Sequence, residues 1–275
     1  MRWLRFEAEG RVRVGYQRGP GLSADIQPVV ADTLQDVIAG RGTGDAGAPV
    51  PRAAVRVLAP LVPGKILCIG LNYMDHCREQ HIAPPDRPTL FAKFPSSVLA
   101  PGDPIRWPAD FSDQVDYEAE LAVVIGRSTK RVAEADALAH VFGYTAANDV
   151  TARDVQKGDK QWIRGKAADT FCPLGPVVVT SDEIPDPQQL AIGCRVNGES
   201  RQASHTGEMI FSVAHIISFI SRAITLEPGD VILTGTPDGV GQYRDPKVFL
   251  QPGDRVEVEL GDFGVLENPV GPFVD

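Results

Sequence analysis

Apolar and polar positions alternate between Tyr117 and Ile125. Tyr117, Ala119, Leu121, Val123 and Ile125 make one stripe with the two-residue period of a β-strand. On such a strand Glu118 and Glu120 project from the same face, roughly 7 Å apart at their Cα atoms. A different period marks Val213, Ile216, Ile217 and Ile220, whose i, i+3, i+4, i+7 spacing predicts an amphipathic helix. Ser212, His215 and Arg222 fall on its other side, so His215 reads as a helix-surface residue rather than a ligand. Nearer the N-terminus the pattern predicts a short strand at Arg11–Gln17 and a helix at Asp32–Ala39. Turn signals punctuate the rest. Pro-Gly-Asp recurs at Pro101–Asp103, Pro228–Asp230 and Pro252–Asp254, each introducing an apolar or alternating run, and Pro-Gly suits a type II turn. Asn197-Gly198, between Ile192–Val196 and Glu199–Gln202, predicts a two-residue hairpin. Short strands with few helices predict a mainly β (α+β) chain with a closed or rolled architecture.

Residues 40–51, rich in Gly and Pro, read as loop. They contain a formal Gly-x-Gly-x-x-Gly match from Gly42 to Gly47. A dinucleotide fingerprint needs a strand before it and a helix after it, and here a helix pattern precedes and prolines follow. We divide the chain into a small N-terminal unit, residues 1–55, and a larger catalytic unit, residues 56–275.

Composition narrows the function classes. With 275 residues, 43% hydrophobic and 23% charged, the profile is that of an ordinary globular protein. A net charge of −9 argues against nucleic acid or an anionic membrane as partner, since both need a basic surface. No apolar run is long enough to span a bilayer, and the first residues lack the pattern of a signal peptide. Cys68, Cys77, Cys172 and Cys194 include no Cys-x-x-Cys pair and read as reduced thiols, which points to the cytoplasm.

The chemistry concentrates in four segments. Two carboxylates held side by side repel each other unless a cation sits between them, and Mg²⁺ or Mn²⁺ favours oxygen ligands. Taken alone, the plainer reading of Glu118 and Glu120 is a half-exposed strand with both side chains in water. In Asn148-Asp149-Val150-Thr151-Ala152-Arg153-Asp154-Val155-Gln156 the pattern predicts a strand that ends at Asp149 and a helix that starts at Thr151. Asp149, Arg153 and Gln156 would then share a face, with Asp149 either a third carboxylate ligand or the helix cap. Lys166, between Gly165 and small residues, is a compact charge suited to a substrate carboxylate or a developing enolate oxygen, or else an exposed surface lysine. Thr236 lies in a Gly-rich turn whose amides can form an anion-binding concavity, or an ordinary β-turn. Upstream, His76 and Glu79 lie at i and i+3, where a carboxylate can orient a histidine as general base. Alone, the pair could equally be an exposed contact. The Pro-rich segment 82–86 beyond it is a candidate lid.

In this order and combination the segments resemble the fumarylacetoacetate hydrolase family, in the manner of its small acylpyruvase-like and 2-hydroxyhepta-2,4-diene-1,7-dioate isomerase-like members. The likeness is carried by Gly70-Leu71-Asn72-Tyr73…His76…Glu79, Leu90-Phe91-Ala92-Lys93, Asp116-Tyr117-Glu118-Ala119-Glu120-Leu121, Asn148-Asp149…Arg153…Gln156, Gly165-Lys166…Asp169-Thr170-Phe171 and Thr234-Gly235-Thr236-Pro237…Gly239-Val240-Gly241. The resemblance implies a mixed β-sandwich roll of the family type, with a small N-terminal α+β domain, assembled as a homodimer. It implies one Mg²⁺ or Mn²⁺ per subunit, held by Glu118, Glu120 and Asp149, and a small keto or diketo acid as substrate. Positions matching Tyr73, Lys93, Arg153, Gln156, Lys166 and Thr236 are implied substrate contacts, and those matching His76 and Glu79 a water-activating dyad. Fumarylacetoacetase itself places a further metal carboxylate where this chain has Asn72, so three protein carboxylates are expected here.

The leading expectation is a metal-dependent hydrolase that cleaves a C–C bond in an acylpyruvate-like 2,4-diketo acid, with His76, Glu79 and Lys166 catalytic. The alternatives are oxaloacetate decarboxylation or tautomerisation, and dienedioate isomerisation in aromatic catabolism. A catalytically silent binding protein on the same fold is a third.

Overall fold

The computed structural model describes residues 1–18 and 25–274. Its organising element is the strand Ala119–Ile125, buried along its whole length on both faces. The odd stripe from Tyr117 to Ile125 packs into one hydrophobic core, and the even residues Ala122 and Val124 into a second. The half-exposed reading of this strand is therefore set aside. A carboxylate on its even face points into protein, not water.

Both of its edges are paired as well, which gives it a central place in the sheet. Ala119–Ile125 pairs antiparallel with Val141–Asn148 on one side and Val231–Leu233 on the other. Beyond Val231–Leu233 lie Ile66–Gly70, paired parallel to it, and then Thr89–Lys93. In the other direction Val141–Asn148 pairs with Cys172–Thr180, and that strand pairs with Arg2–Ala8 through Arg2↔Val179 and Trp3↔Val178. The hairpin of Arg2–Ala8 and Arg11–Gln17 thus extends the same sheet, which has eleven strands among the described residues.

A separate four-stranded antiparallel sheet runs in the order Glu199–His205, Ala191–Val196, Arg255–Leu260, Val265–Pro269. Asn197 and Gly198 turn its first hairpin with φ of 54° and 78°, the left-handed pair of a type I′ turn. Ile192, Val196 and Val258 of this sheet share a core with Leu121 and Val123 of the large one. The helix Val213–Ser221 adds Val213, Ile216, Ile217 and Ile220 to that core, and the Ser212 hydroxyl caps it on His215 N. His215 lies on the outer side against Glu134, 3.0 Å away. At the Pro-Gly-Asp turns Gly102, Gly229 and Gly253 all have φ between 82° and 99°. The architecture is the mainly β fold that the alternation and turn signals predict.

Strand directions bring four chain segments to one end of the large sheet. There Ala119–Ile125 begins, Val141–Asn148 ends at Ala119↔Asn148, and Val231–Leu233 and Ile66–Gly70 run out into loops. Those loops carry the Gly-rich turn from Thr234 and the helix Met74–Glu79. One local expectation is corrected. The helix after Asp149 begins at Arg153, not Thr151, because Thr151 and Ala152 are committed to pairing with Asp116 and Val115. Asp149 therefore stands outside the helix and does not share its face with Arg153 and Gln156.

Candidate active site

Glu118, Glu120 and Asp149 converge at this sheet end, with one carboxylate oxygen of each within 4.8 Å of the others, and all three are buried. The backbone fixes them. Glu118 N–H donates to Asn148 Oδ1 at 3.0 Å, and Asp149 N–H donates to Glu118 O at 2.9 Å. Gly235 N–H donates to Glu120 Oε2 at 2.7 Å. Asp149 caps nothing, since its oxygens receive the ammonium groups of Lys93 and Lys166 instead.

Three cations surround the carboxylates. Lys166 Nζ lies 2.7 Å from Glu118 Oε2, 2.7 Å from Asp149 Oδ2, and 5.2 Å from the ring centre of Phe91. Arg153 Nη1 reaches Glu118 Oε1 at 2.5 Å while its Nε donates to Asp116 Oδ2 at 2.8 Å. Lys93 bridges Asp149 and the backbone carbonyls of Val150 and Lys166. Close packing of the helices Arg153–Gly158 and Ile163–Lys166 makes this possible: a Cβ on Gly165 would sit 2.8 Å from Gln156 N and 2.9 Å from Ala152 O.

The charges are unevenly answered. Burial alone would raise the pKa of Glu118, but Lys166 and Arg153 outweigh it and hold the group at about 2. Burial likewise acts to strip Lys166 of its proton, and the Asp149 and Glu118 charges reverse this and raise its pKa. Glu120 goes the other way. Burial first, then the charges of Asp149 and Glu118, push it well above its ordinary value against the weaker pull of Lys166 and the Gly235 amide. An all-oxygen donor set with one under-compensated buried carboxylate is the chemistry of a hard divalent cation site. Glu118, Glu120 and Asp149 fit such an ion.

Facing the carboxylates is an oriented imidazole. His76 Nδ1 lies 2.8 Å from Glu79 Oε2, and the other Glu79 oxygen accepts Gly239 N–H at 2.9 Å. With Glu79 accepting the Nδ1–H hydrogen bond, Nε2 is the nitrogen left for the cavity that His76 lines. The Tyr243 ring packs edge-on against the imidazole, 5.7 Å between centroids.

Carboxylates, cations and imidazole border one cavity of about 340 Å³, near the lower end of small-ligand pockets. Its walls include His76, Glu118, Glu120, Arg153, Gln156, Lys166 and Thr236. The Thr236 hydroxyl is already engaged, donating to Ala119 O at 2.9 Å and accepting from Gln202 Nε2 at 2.8 Å. Two expected substrate contacts lie elsewhere. Lys93 and Tyr73 stand behind the wall, fully buried, Lys93 supporting Asp149 and Tyr73 with an unpartnered hydroxyl. Asn72 is a brace, its amide joining Phe211 to Thr234 O.

The structure adds residues that sequence reasoning missed. Asp116, fully buried, accepts from the backbone amides of Tyr117, Gly241 and Gln242 and from Arg153 Nε, all between 2.8 and 3.0 Å. Tyr243, Trp162 and Lys157 line the cavity. Asp116 carried a signal in its place beside the two glutamates. No spacing rule marks the other three: Lys157 follows Gln156 on its helix, Trp162 precedes the helix Ile163–Lys166, and Tyr243 comes in from a distant turn.

The model of the fumarylacetoacetate (FAA) hydrolase C-terminal region matches residues 65–271. The chain is 53% identical over 222 residues to a mitochondrial oxaloacetate tautomerase of Xenopus laevis, covering 80% of this chain and 69% of that protein. It is 51% identical over 224 residues to one from Bos taurus, covering 80% and 71%. Among solved structures, a fumarylacetoacetate hydrolase from Exiguobacterium antarcticum superposes with a TM-score of 0.90 at 43% identity, over 98% of this chain and 99% of that one. A 2-hydroxyhepta-2,4-diene-1,7-dioate isomerase from Mycobacterium marinum gives a TM-score of 0.84 at 38% identity, over 98% of both.

Proposed function

The chain belongs to the fumarylacetoacetate hydrolase family, and on that premise we propose that it is a divalent-metal-dependent tautomerase that interconverts the keto and enol forms of oxaloacetate. The identity to oxaloacetate tautomerases moves the preference from C–C hydrolysis, expected first from the sequence, to what stood there as its alternative. The observation that carries the reading is the placement of an oriented imidazole, His76, across one cavity from a buried lysine and carboxylate cluster.

Ketonisation needs a proton delivered to carbon 3 of the acid and negative charge held at the oxygen on carbon 2. His76 Nε2 moves that proton, and Glu79 stabilises the imidazolium when His76 carries it. Lys166 has spent two of its three N–H donors on Glu118 and Asp149, which leaves one for the oxygen on carbon 2. Arg153 keeps its Nη2 without a protein partner, and with Gln156 it can hold the adjacent carboxylate. Glu118, Glu120 and Asp149 would hold a divalent ion, which when bound would supply Lewis acidity to the site.

Enol-oxaloacetate decay followed by ultraviolet absorbance tests this. The purified protein with Mg²⁺ or Mn²⁺ should accelerate the decay without releasing pyruvate, and chelator should abolish the effect. Turnover of acetylpyruvate to acetate and pyruvate, with no effect on oxaloacetate, would restore the hydrolytic reading.

A further inference from the structure

Below the carboxylate cluster the cavity is buried, and toward solvent it carries a charge that the proposed chemistry does not use. Lys157 lines it, one residue beyond Gln156 on the helix Arg153–Gly158 that also supplies Arg153. Lys157 is exposed and forms no salt bridge among the described residues. The nearest acid in the chain that also lines the cavity, Asp159, is occupied by the fork of Arg164 at 2.8 Å on each oxygen. The buried Nη2 of Arg153 is likewise unpartnered. Burial first, then the charges of Lys247 and Arg153, lower the pKa of Lys157 against the weaker pull of Asp116. Arg153 and Lys166 answer carboxylates in the wall, whereas Lys157 has no acidic partner within salt-bridge distance among the described residues, and an anion entering there would supply one.

We propose that Lys157 is a specificity-determining residue that binds the second carboxylate of a dicarboxylic 2-keto acid at the mouth of the cavity. The inner end takes the keto acid group beside Lys166 and the carboxylates, and the mouth reads whether the far end of the molecule is also anionic. A monocarboxylic acylpyruvate would leave Lys157 unanswered. This rests on the tautomerase reading for the inner end, and two sets of measurements separate the two claims.

In kinetics, Lys157→Ala should raise KM for oxaloacetate about tenfold and leave kcat within about twofold, because a charge-assisted contact made equally in ground and transition states is lost. Lys157→Arg should restore KM, and acetylpyruvate should respond to neither change. In calorimetry with the Mg²⁺-loaded protein, wild type should bind malate more tightly than lactate, and Lys157→Ala should erase that preference. If oxaloacetate is not turned over but the malate preference still depends on Lys157, the tautomerase reading falls and this assignment stands. If oxaloacetate is turned over and Lys157→Ala changes both substrates equally, or changes neither KM nor the malate preference, the assignment is overturned.

Discussion

One guanidinium joins two acids with different tasks: Arg153 donates through Nε to Asp116 at 2.8 Å and through Nη1 to Glu118 at 2.5 Å. Asp116 in turn gathers the amides of Gly241 and Gln242, which begin the turn carrying Tyr243 over His76. The carboxylate cluster and the loop above the imidazole are therefore coupled through a single buried guanidinium.

Asp116→Asn should expose that coupling. It keeps the shape but sets an amide NH2 against donors, leaving Arg153 half-paired in the interior. Breaking a buried pair in this way costs about 3–5 kcal/mol. Denaturant unfolding should show that loss, and KM for the acid should rise more than kcat falls. Unchanged stability would deny Asp116 this role.

Glu120 gives a pH dependence with a definite sign. Its pKa is raised in the folded, metal-free protein, so above the ordinary carboxylate value of 4.5 the folded state holds a proton that the unfolded chain has released. Stability of the metal-free protein should therefore fall as pH rises from about 4.5 toward that raised value. Glu118, held at about 2, gives an opposing slope only near 4.5, where the unfolded carboxyl is still partly protonated, and none once that group has ionised. Mn²⁺ should bind with proton release, and more tightly at higher pH. Melting curves with and without Mn²⁺, and calorimetry in buffers of different ionisation enthalpy, check both. Proton uptake on binding would refute the assignment.

Lys166 separates metal holding from catalysis. Lys166→Met removes the charge between Glu118 and Asp149 but no carboxylate. Turnover should drop by about 10² while Mn²⁺ still binds, since a buried donor aimed at developing charge is worth roughly that much. Loss of Mn²⁺ binding together with activity would make Lys166 structural.

Lys93→Met should behave differently, because Lys93 touches Asp149 and two carbonyls but not the cavity. Stability should fall by about 3–5 kcal/mol, and Mn²⁺ affinity should fall with it as Asp149 loses its anchor. A change in KM alone, with stability intact, would instead make Lys93 a substrate contact.

What could be read from the chain is what local periods encode. Alternation placed Glu118 and Glu120 on one face, the i, i+3 spacing of His76 and Glu79 allowed their hydrogen bond, and Asn197-Gly198 marked its hairpin. Burial of the glutamates could not be read so directly, since it depends on residues 141–148 and 231–233 flanking the strand at both edges and on distant residues packing against its two faces. The start of the helix at Arg153 was hidden for the same reason: the pairing of Thr151 with Asp116 competes with helix formation and is non-local. Lys93 and Tyr73 sit in motif segments, yet their side chains turn behind the wall, which no motif shows. No spacing rule marks the wall residues Lys157, Trp162 and Tyr243, and none distinguishes hydrolysis from tautomerisation.

The most direct measurement is hydrogen exchange at carbon 3 of oxaloacetate in D₂O, followed by NMR with Mg²⁺-loaded wild type and His76→Ala. The account predicts exchange well above the buffer rate in wild type and a loss of at least about 10² in the variant, the range for a general acid–base residue. Exchange at the buffer rate in wild type, or an equal rate in the variant, would contradict it.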